Sequence, residues 1–263
     1  MKLKDKIAIV TGAGSGIGRA ISLDFAEEGA KVLVNDVNQT GGEETVKIIK
    51  EMGGEASFFL ADVSRSEEVQ KMIATAMERY GKVDILVNNA AINTMGDSQA
   101  TTEEDWNRTI AVNLTGPFLC AKYAIAEMKE SGGGVIINIS SVEGLSGFSN
   151  QLAYSSSKGG MINLTKCLAI DHARDNIRVN SICPANVETP MSSNLVDQEG
   201  MEPVKKYLLR KHALRRFGKP EEMAKIATFL ASEDSSFITG THIVADGGWL
   251  CGTSMDIAEI FGG

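Results

Sequence analysis

Short, continuously apolar runs alternate along this chain with longer amphipathic stretches. The runs are "KIAIV" (6–10), "KVLVND" (31–36), "ASFFLAD" (56–62), "DILVNN" (84–89), "GVIINIS" (134–140), "IRVNSIC" (177–183) and "HIVAD" (242–246). Most are apolar at consecutive rather than alternate positions, the pattern of strands covered on both faces of a parallel sheet. Between them lie helical segments. The first follows Gly16 with Ile17, Ile21 and Phe25 on one face; later ones cover about 41–52, 66–80, 103–130, 152–173 and 220–231. "SRSEE" and "TTEEDW" read as capped helix starts, a hydroxyl residue followed by acids in the first turn. "GKPEEMA" places a proline where a helix begins. Strand–helix alternation implies right-handed βαβ units and an α/β, doubly wound parallel sheet. No linker, repeat or low-complexity tract interrupts it, so residues 1–263 read as a single domain. The interval 185–219 breaks the rhythm with Pro190, Pro203 and "KKYLLRKHALRR". An insertion this long at a strand end reads as a substrate-covering lid.

Composition narrows the function classes. The chain has 263 residues and a net charge of −8 with no basic block, which argues against a nucleic-acid partner. No run of eighteen apolar residues suggests a membrane span, and "MKLKDKIAIVTG" lacks the apolar region of a secretion signal. Cys120, Cys167, Cys183 and Cys251 are far apart and never form CxxC, so they read as reduced thiols of a cytoplasmic protein. His172, His212 and His242 are scattered, and no metal site is expected.

Chemistry concentrates at the strand ends. "IVTGAGSGIGRA" runs from strand through glycines into helix. Gly12, Gly16 and Gly18, with Gly14 between, let the backbone turn tightly and approach a pyrophosphate. The helix opening there offers N–H groups and a positive dipole end. Asp36 closes the second strand eighteen residues after Gly18, placed to bond the adenosine ribose hydroxyls of NAD and repel a 2′-phosphate. No basic residue stands beside it in the sequence: Ser15 occupies the glycine turn and Val37 follows Asp36. Asp62 and Val63 close the third strand. "NNAA" (88–91) follows the fourth, its asparagines able to bond backbone across the crevice and its alanines leaving room for a flat cofactor.

"AYSSSKGGM" sets Tyr154 and Lys158 four residues apart, neighbours on one helix face. A positive charge beside a phenol favours the phenolate and lowers its pKa, which suits a tyrosine to general acid–base work. Taken alone, such a pair more often describes a surface aromatic packed on a lysine stem.

TGAGSGIG, NNAA, Asn113 in "VNLTG", "NISS", YSSSK and "ICPANVETP" occur in one order. Together they resemble the short-chain dehydrogenase/reductase family across nearly the whole chain. The resemblance implies a Rossmann-type sheet of about seven strands, a nicotinamide cofactor, a small-molecule substrate and a homotetramer. It maps a catalytic quartet onto Asn113, Ser141, Tyr154 and Lys158, Ser141 being chosen over Ser140 for its thirteen-residue spacing to Tyr154. In this mapping Tyr154 is the acid–base, Lys158 lowers its pKa and holds the nicotinamide ribose, Ser141 bonds the substrate oxygen, and Asn113 anchors a water leading from Lys158 to solvent. The cofactor set is Gly12, Ser15, Gly16, Ile17, Gly18, Asp36, Asp62, Val63, Asn89, Ala90, Tyr154, Lys158, Pro184, Val187 and Thr189, with NAD as the cofactor. Two departures from the family pattern, Ala91 and Ala185 where glycine is usual, narrow the crevice near the nicotinamide.

The expected reaction is interconversion of a secondary alcohol and a ketone. Asn93, Glu143, Gln151 and Asn186 are expected to line the substrate pocket, and all are polar, which points to a sugar or polyol. The alternatives are a cyclic apolar alcohol dehydrogenase, a 3-ketoacyl carrier-protein reductase and a non-catalytic NAD-sensing protein. Lys205, Lys206, Arg210, Lys211 and His212 either meet an acidic substituent or form a solvated helix face. Phe118, Met161 and Leu164 are expected on association surfaces.

Overall fold

A computed structural model describes residues 1–252; residues 253–263 of the expected single domain lie outside the described residues. All seven apolar runs become strands, their ends moved by no more than two residues. They are β1 (Ile7–Thr11), β2 (Lys31–Asp36), β3 (Ala56–Leu60), β4 (Ile85–Asn88), β5 (Gly134–Ile139), β6 (Ile177–Pro184) and β7 (His242–Ala245). They form one parallel sheet in the order β3-β2-β1-β4-β5-β6-β7. The order reverses between β1 and β4, and a sheet of this kind opens its ligand crevice beyond the strand C-termini at that point.

The helices are α1 (Gly16–Glu27), α2 (Gln39–Glu51), α3 (Ser66–Tyr80), α4 (Glu103–Ile110), α5 (Gly116–Glu130), α6 (Leu152–His172), α7 (Pro190–Val196), α8 (Glu202–Lys211) and α9 (Pro220–Ala231). Consecutive strand residues feed opposite cores, which is why the runs do not alternate. Ala8 and Val10 of β1 pack with Ile21 and Phe25 of α1, Ile49 of α2 and Leu230 of α9. Ile9 between them packs with Met72 and Ile73 of α3 and Ala124 and Met128 of α5. Each of these fully buried Val, Ile, Leu, Phe and Met side chains contributes roughly 1.5–3 kcal/mol.

Three expectations change. Helix α3 is not capped by a serine: its N-cap is Arg65, which makes no side-chain cap bond. Ser66 pairs instead with the Tyr123 hydroxyl at 2.8 Å, and Ser64 turns back to Asp62. Thr102 does cap α4, accepting from Asp105 N at 3.0 Å, and Pro220 opens α9. Second, the expected helix over 103–130 is interrupted by a π-turn, Ala111–Thr115. Pro117 explains the break, because it has no N–H to return to the carbonyl of residue 113 and its ring would collide there. The Gly116 N–H reaches back to Ala111 O instead. Third, Met161 is fully buried within the subunit rather than on an outer stripe, and Leu164 is half-buried, whereas Phe118 is 45% exposed.

Candidate active site

The strand ends converge on one cavity of about 1570 Å³ that touches both the glycine turn and the Tyr154–Lys158 pair. Its cofactor half starts at β1. Gly12 and Gly16 adopt positive φ (61° and 51°), open to glycine at little cost. A Cβ on Gly18 would sit 2.3 Å from Gly12 O, and one on Gly12 would sit 2.7 Å from Ala90 Cα. Helix and strand therefore approach as closely as backbone allows. Ser15, extended at the N-cap of α1, makes no side-chain cap bond, so no side chain from that position satisfies the N–H groups of the first turn. Asn89 Nδ2 donates to Thr11 O and Gly12 O, both at 2.9 Å, and fixes the turn from the β4 side. Thr189 Cγ2 would lie 3.1 Å from a Cβ on Gly16, so the α7 end covers the turn from above. A glycine cradle whose helix N-terminus is left open by its cap fits the pyrophosphate of a dinucleotide.

Asp36 accepts from Gly14 N and Asn38 N, each at 2.8 Å, which fixes its carboxylate at the cavity edge. The sequence shows no base next to Asp36, yet the fold carries Arg19 to the carbonyl of the same glycine, Gly14, whose N–H donates to Asp36. Its guanidinium donates to Gly14 O at 2.6 Å, Thr45 Oγ1 at 3.0 Å and Glu44 at 3.2 Å. Arg19 thus ties the glycine turn to α2, a link between helices that residue spacing does not reveal. Asp62 and Val63 also line the cavity, with Asp62 Oδ1 accepting from Ser64.

The second half is built on β5 and α6. Ser141 caps a short 3₁₀ turn (Val142–Gly144), accepting from Glu143 N at 3.1 Å, and bonds the Tyr154 side chain. Ser140 spends its hydroxyl on Lys158 O at 2.9 Å. Lys158 is 2% exposed; its ammonium donates to Ile139 O at 2.8 Å and stands 5.5 Å from the centre of the Tyr154 ring. Asn113, held by the π-turn, is fully buried: Nδ2 donates to Ile92 O (2.8 Å) and Ser157 Oγ (3.2 Å), and Oδ1 accepts from Ile92 N (2.9 Å). Ser157, the last of the three serines and adjacent to Lys158, was not among the residues the sequence singled out. Its proximity to both motif residues was the available signal.

One electrostatic expectation is reversed. Burial pushes the Tyr154 phenol up from its ordinary value, and the Glu143 charge pushes it the same way, against the Ser141 hydrogen bond. Lys158 does not offset this, because its ammonium is directed at a carbonyl and is itself pulled down to about 8 by burial. Glu143 is raised to about 7, burial outweighing the Ser155 hydrogen bond and the nearby lysine.

Asn93, Glu143, Gln151 and Asn186 all line the cavity, as do Ala91 and Ala185. The loops carrying Asn93 and Gln151 are joined, Gly96 N donating to Asn150 O and Leu152 N to Gly96 O. Apolar and aromatic residues that sequence reading missed line the same cavity: Met95, Phe148, Tyr207, Leu208 and Trp249. Phe148 and Trp249 meet with ring centres 5.6 Å apart. Phe148 lay within the Ser141–Tyr154 interval, a signal present in the sequence; Trp249 becomes a wall only when the chain after β7 folds back. The basic segment separates on α8. Lys205 pairs with Asp197 at 2.7 Å, Lys211 lies over the Tyr207 ring, and Arg210 and Lys211 reach the cavity. His212 meets neither expectation for the segment. It is 1% exposed, packed edge-on against Trp249 and Phe217, and lowered by burial.

Residues 12–250 match the family model described as enoyl-(acyl carrier protein) reductase. Glucose 1-dehydrogenase 2 of Bacillus subtilis (strain 168) is 42% identical over 94% of this chain and 95% of its own. Cyclohexanol dehydrogenase of Acinetobacter sp. (strain SE19) is 35% identical over 94% and 96%. The crystal structure of levodione reductase superimposes with a TM-score of 0.90 at 31% identity, covering 94% of this chain and 98% of that one. This chain belongs to the short-chain dehydrogenase/reductase family. It is an oxidoreductase with the Rossmann-type fold, and membership implies a nicotinamide cofactor.

Proposed function

We propose that this chain oxidises a secondary hydroxyl on a compact, polar molecule, using NAD. The observation that carries the reading is the single cavity joining the glycine cradle and Asp36 to Ser141, Tyr154 and Lys158. Gly12 to Gly18 hold the pyrophosphate, and Asp36 takes the adenosine ribose hydroxyls. Asp62, Val63, Asn89, Ala90, Pro184, Val187 and Thr189 enclose the rest of the dinucleotide. Bound NAD supplies the hydride acceptor. Tyr154 takes the hydroxyl proton at its phenolic oxygen, or returns it in the reverse direction. Ser141 donates to the substrate oxygen, stabilising charge that develops there. Lys158 holds the nicotinamide ribose, and its positive charge favours the phenolate once groups in the cavity draw it off Ile139 O. Asn113 holds the 92–93 backbone and, through Ser157, the first turn of α6.

The polar lining, together with the likeness to a protein named for glucose, supports a hydroxylated substrate. The Phe148–Trp249 wall favours a second reading, a cyclic apolar alcohol, in keeping with the name of the cyclohexanol relative. Residues 185–219, whose Met191, Tyr207 and Leu208 line the cavity, act as its lid. Four free thiols suit a cytoplasmic setting, and exposed Phe118, Leu152 and Ile170 suit a homotetramer. The experiment is a comparison of kcat/KM for NAD and NADP over a panel of polyols and cyclic alcohols. Preference for NADP, or no loss of discrimination in Asp36→Ala, would overturn the cofactor reading.

A further inference from the structure

Glu143 occupies an unusual place for a carboxyl. It lies two residues after Ser141 on the same 3₁₀ turn, and its Oε2 accepts from Ser155 Oγ at 3.3 Å, one residue after Tyr154. It is therefore anchored to both segments that carry the groups expected to hold the reacting oxygen, and it lines the same cavity. That one weak, 3.3 Å bond is the only hydrogen bond to its carboxyl among the described residues, leaving acceptor capacity unused. A second acceptor on this wall is also unused: Gln151 Oε1 is buried without a hydrogen-bond partner, on a residue 7% exposed. Unsatisfied polar groups in a buried wall cost free energy until something pairs with them.

We propose that Glu143 selects substrates that carry a second hydroxyl on the carbon next to the reacting carbinol, so that the substrate class is a vicinal diol or a ring polyol containing one. This rests on the alcohol-oxidation reading above and narrows it. With the reacting oxygen between Ser141 and Tyr154, the neighbouring carbon falls beside Glu143, which is tied to Ser141 and to Ser155, the residue after Tyr154. A hydroxyl suits the site better than an ammonium. Burial disfavours a lasting charge on Glu143, and Lys158 already places a cation nearby. A carboxyl can pair with a hydroxyl in either protonation state, whereas it attracts a cation only when ionised.

The test uses the full chain with NAD and four alcohols of one ring: cis-1,2-cyclohexanediol, trans-1,2-cyclohexanediol, 1,4-cyclohexanediol and cyclohexanol. For the better 1,2-diol, kcat/KM should exceed that of both controls by roughly 10- to 100-fold, the effect of one well-placed hydrogen bond to a polar buried group. Glu143→Leu should reduce that ratio to within about threefold of unity, while Glu143→Gln, which still hydrogen-bonds, should retain most of it. A melting shift on adding NAD identifies variants that are folded; if the leucine variant shows none, retention of the ratio in Glu143→Gln combined with its loss in Glu143→Ala decides. Equal turnover of all four alcohols, or an unchanged ratio without the carboxyl, overturns the vicinal-hydroxyl assignment and leaves alcohol oxidation standing. No reduction of NAD with any of them overturns both.

Discussion

Replacing Gly18 by alanine adds one methyl group at the tightest point of the cofactor cradle. The new Cβ would lie 2.3 Å from Gly12 O, 2.9 Å from Gly12 C and 2.5 Å from Asn89 Nδ2. Carbon–oxygen contacts settle near 3.3–3.6 Å, so the glycine turn must move away from α1 by about 1 Å. Asn89 cannot absorb the strain freely, because the same Nδ2 holds Thr11 O and Gly12 O. Two consequences oppose each other. Alanine favours the helix by about 1 kcal/mol over glycine. Against that, the shift misaligns the first-turn N–H groups with a bound pyrophosphate, and a hydrogen bond to a charged group is worth about 1.5–3 kcal/mol. The chain should therefore fold, with a melting temperature within a few degrees of the parent, and bind NAD roughly 10- to 100-fold more weakly. Titration calorimetry with NAD and thermal unfolding without it separate the two effects. An NAD affinity within about twofold of the parent in a folded Gly18→Ala chain would refute the cradle argument.

Other expectations follow from the same geometry. Tyr154→Phe keeps the ring between its neighbours but removes the proton carrier, so kcat should fall by about 10² to 10⁴ while NAD affinity barely changes; an active variant would dismiss Tyr154 as the acid–base. Glu143 is raised from 4.5 to about 7 in the folded chain, so its contribution to stability is complete below pH 4.5 and is lost as pH rises towards 7. Across that interval the parent should lose melting temperature relative to Glu143→Gln, and a constant difference between the two would contradict the shift. Phe118, 45% exposed on α5, should lie in a subunit contact. Light scattering should give four times the subunit mass for the parent and a smaller particle for Phe118→Asp, and a monomeric parent would exclude the tetramer.

Local pattern alone determined the seven strands; for the central ones the reason is that a strand covered on both faces must be apolar at nearly every position, and β1 is buried throughout. It also determined the glycine turn and the Tyr154–Lys158 pair, since a positive φ or an i,i+4 neighbour is written in a few consecutive residues. What the sequence did not reveal depended on residues far apart in the chain. Arg19 reaches the peptide beside Asp36 only because α1 and α2 pack side by side over β1 and β2. Phe148 and Trp249 meet only because the segment after β7 returns to the loop after β5. The π-turn that holds Asn113 follows from Pro117, legible in principle, but its bonds to Ile92 and Ser157 required two other elements to close around it. The charge states were least legible of all. Sequence spacing places Lys158 beside Tyr154, but desolvation is a property of the closed interior, and there it raises the phenol and the Glu143 carboxyl and lowers the lysine.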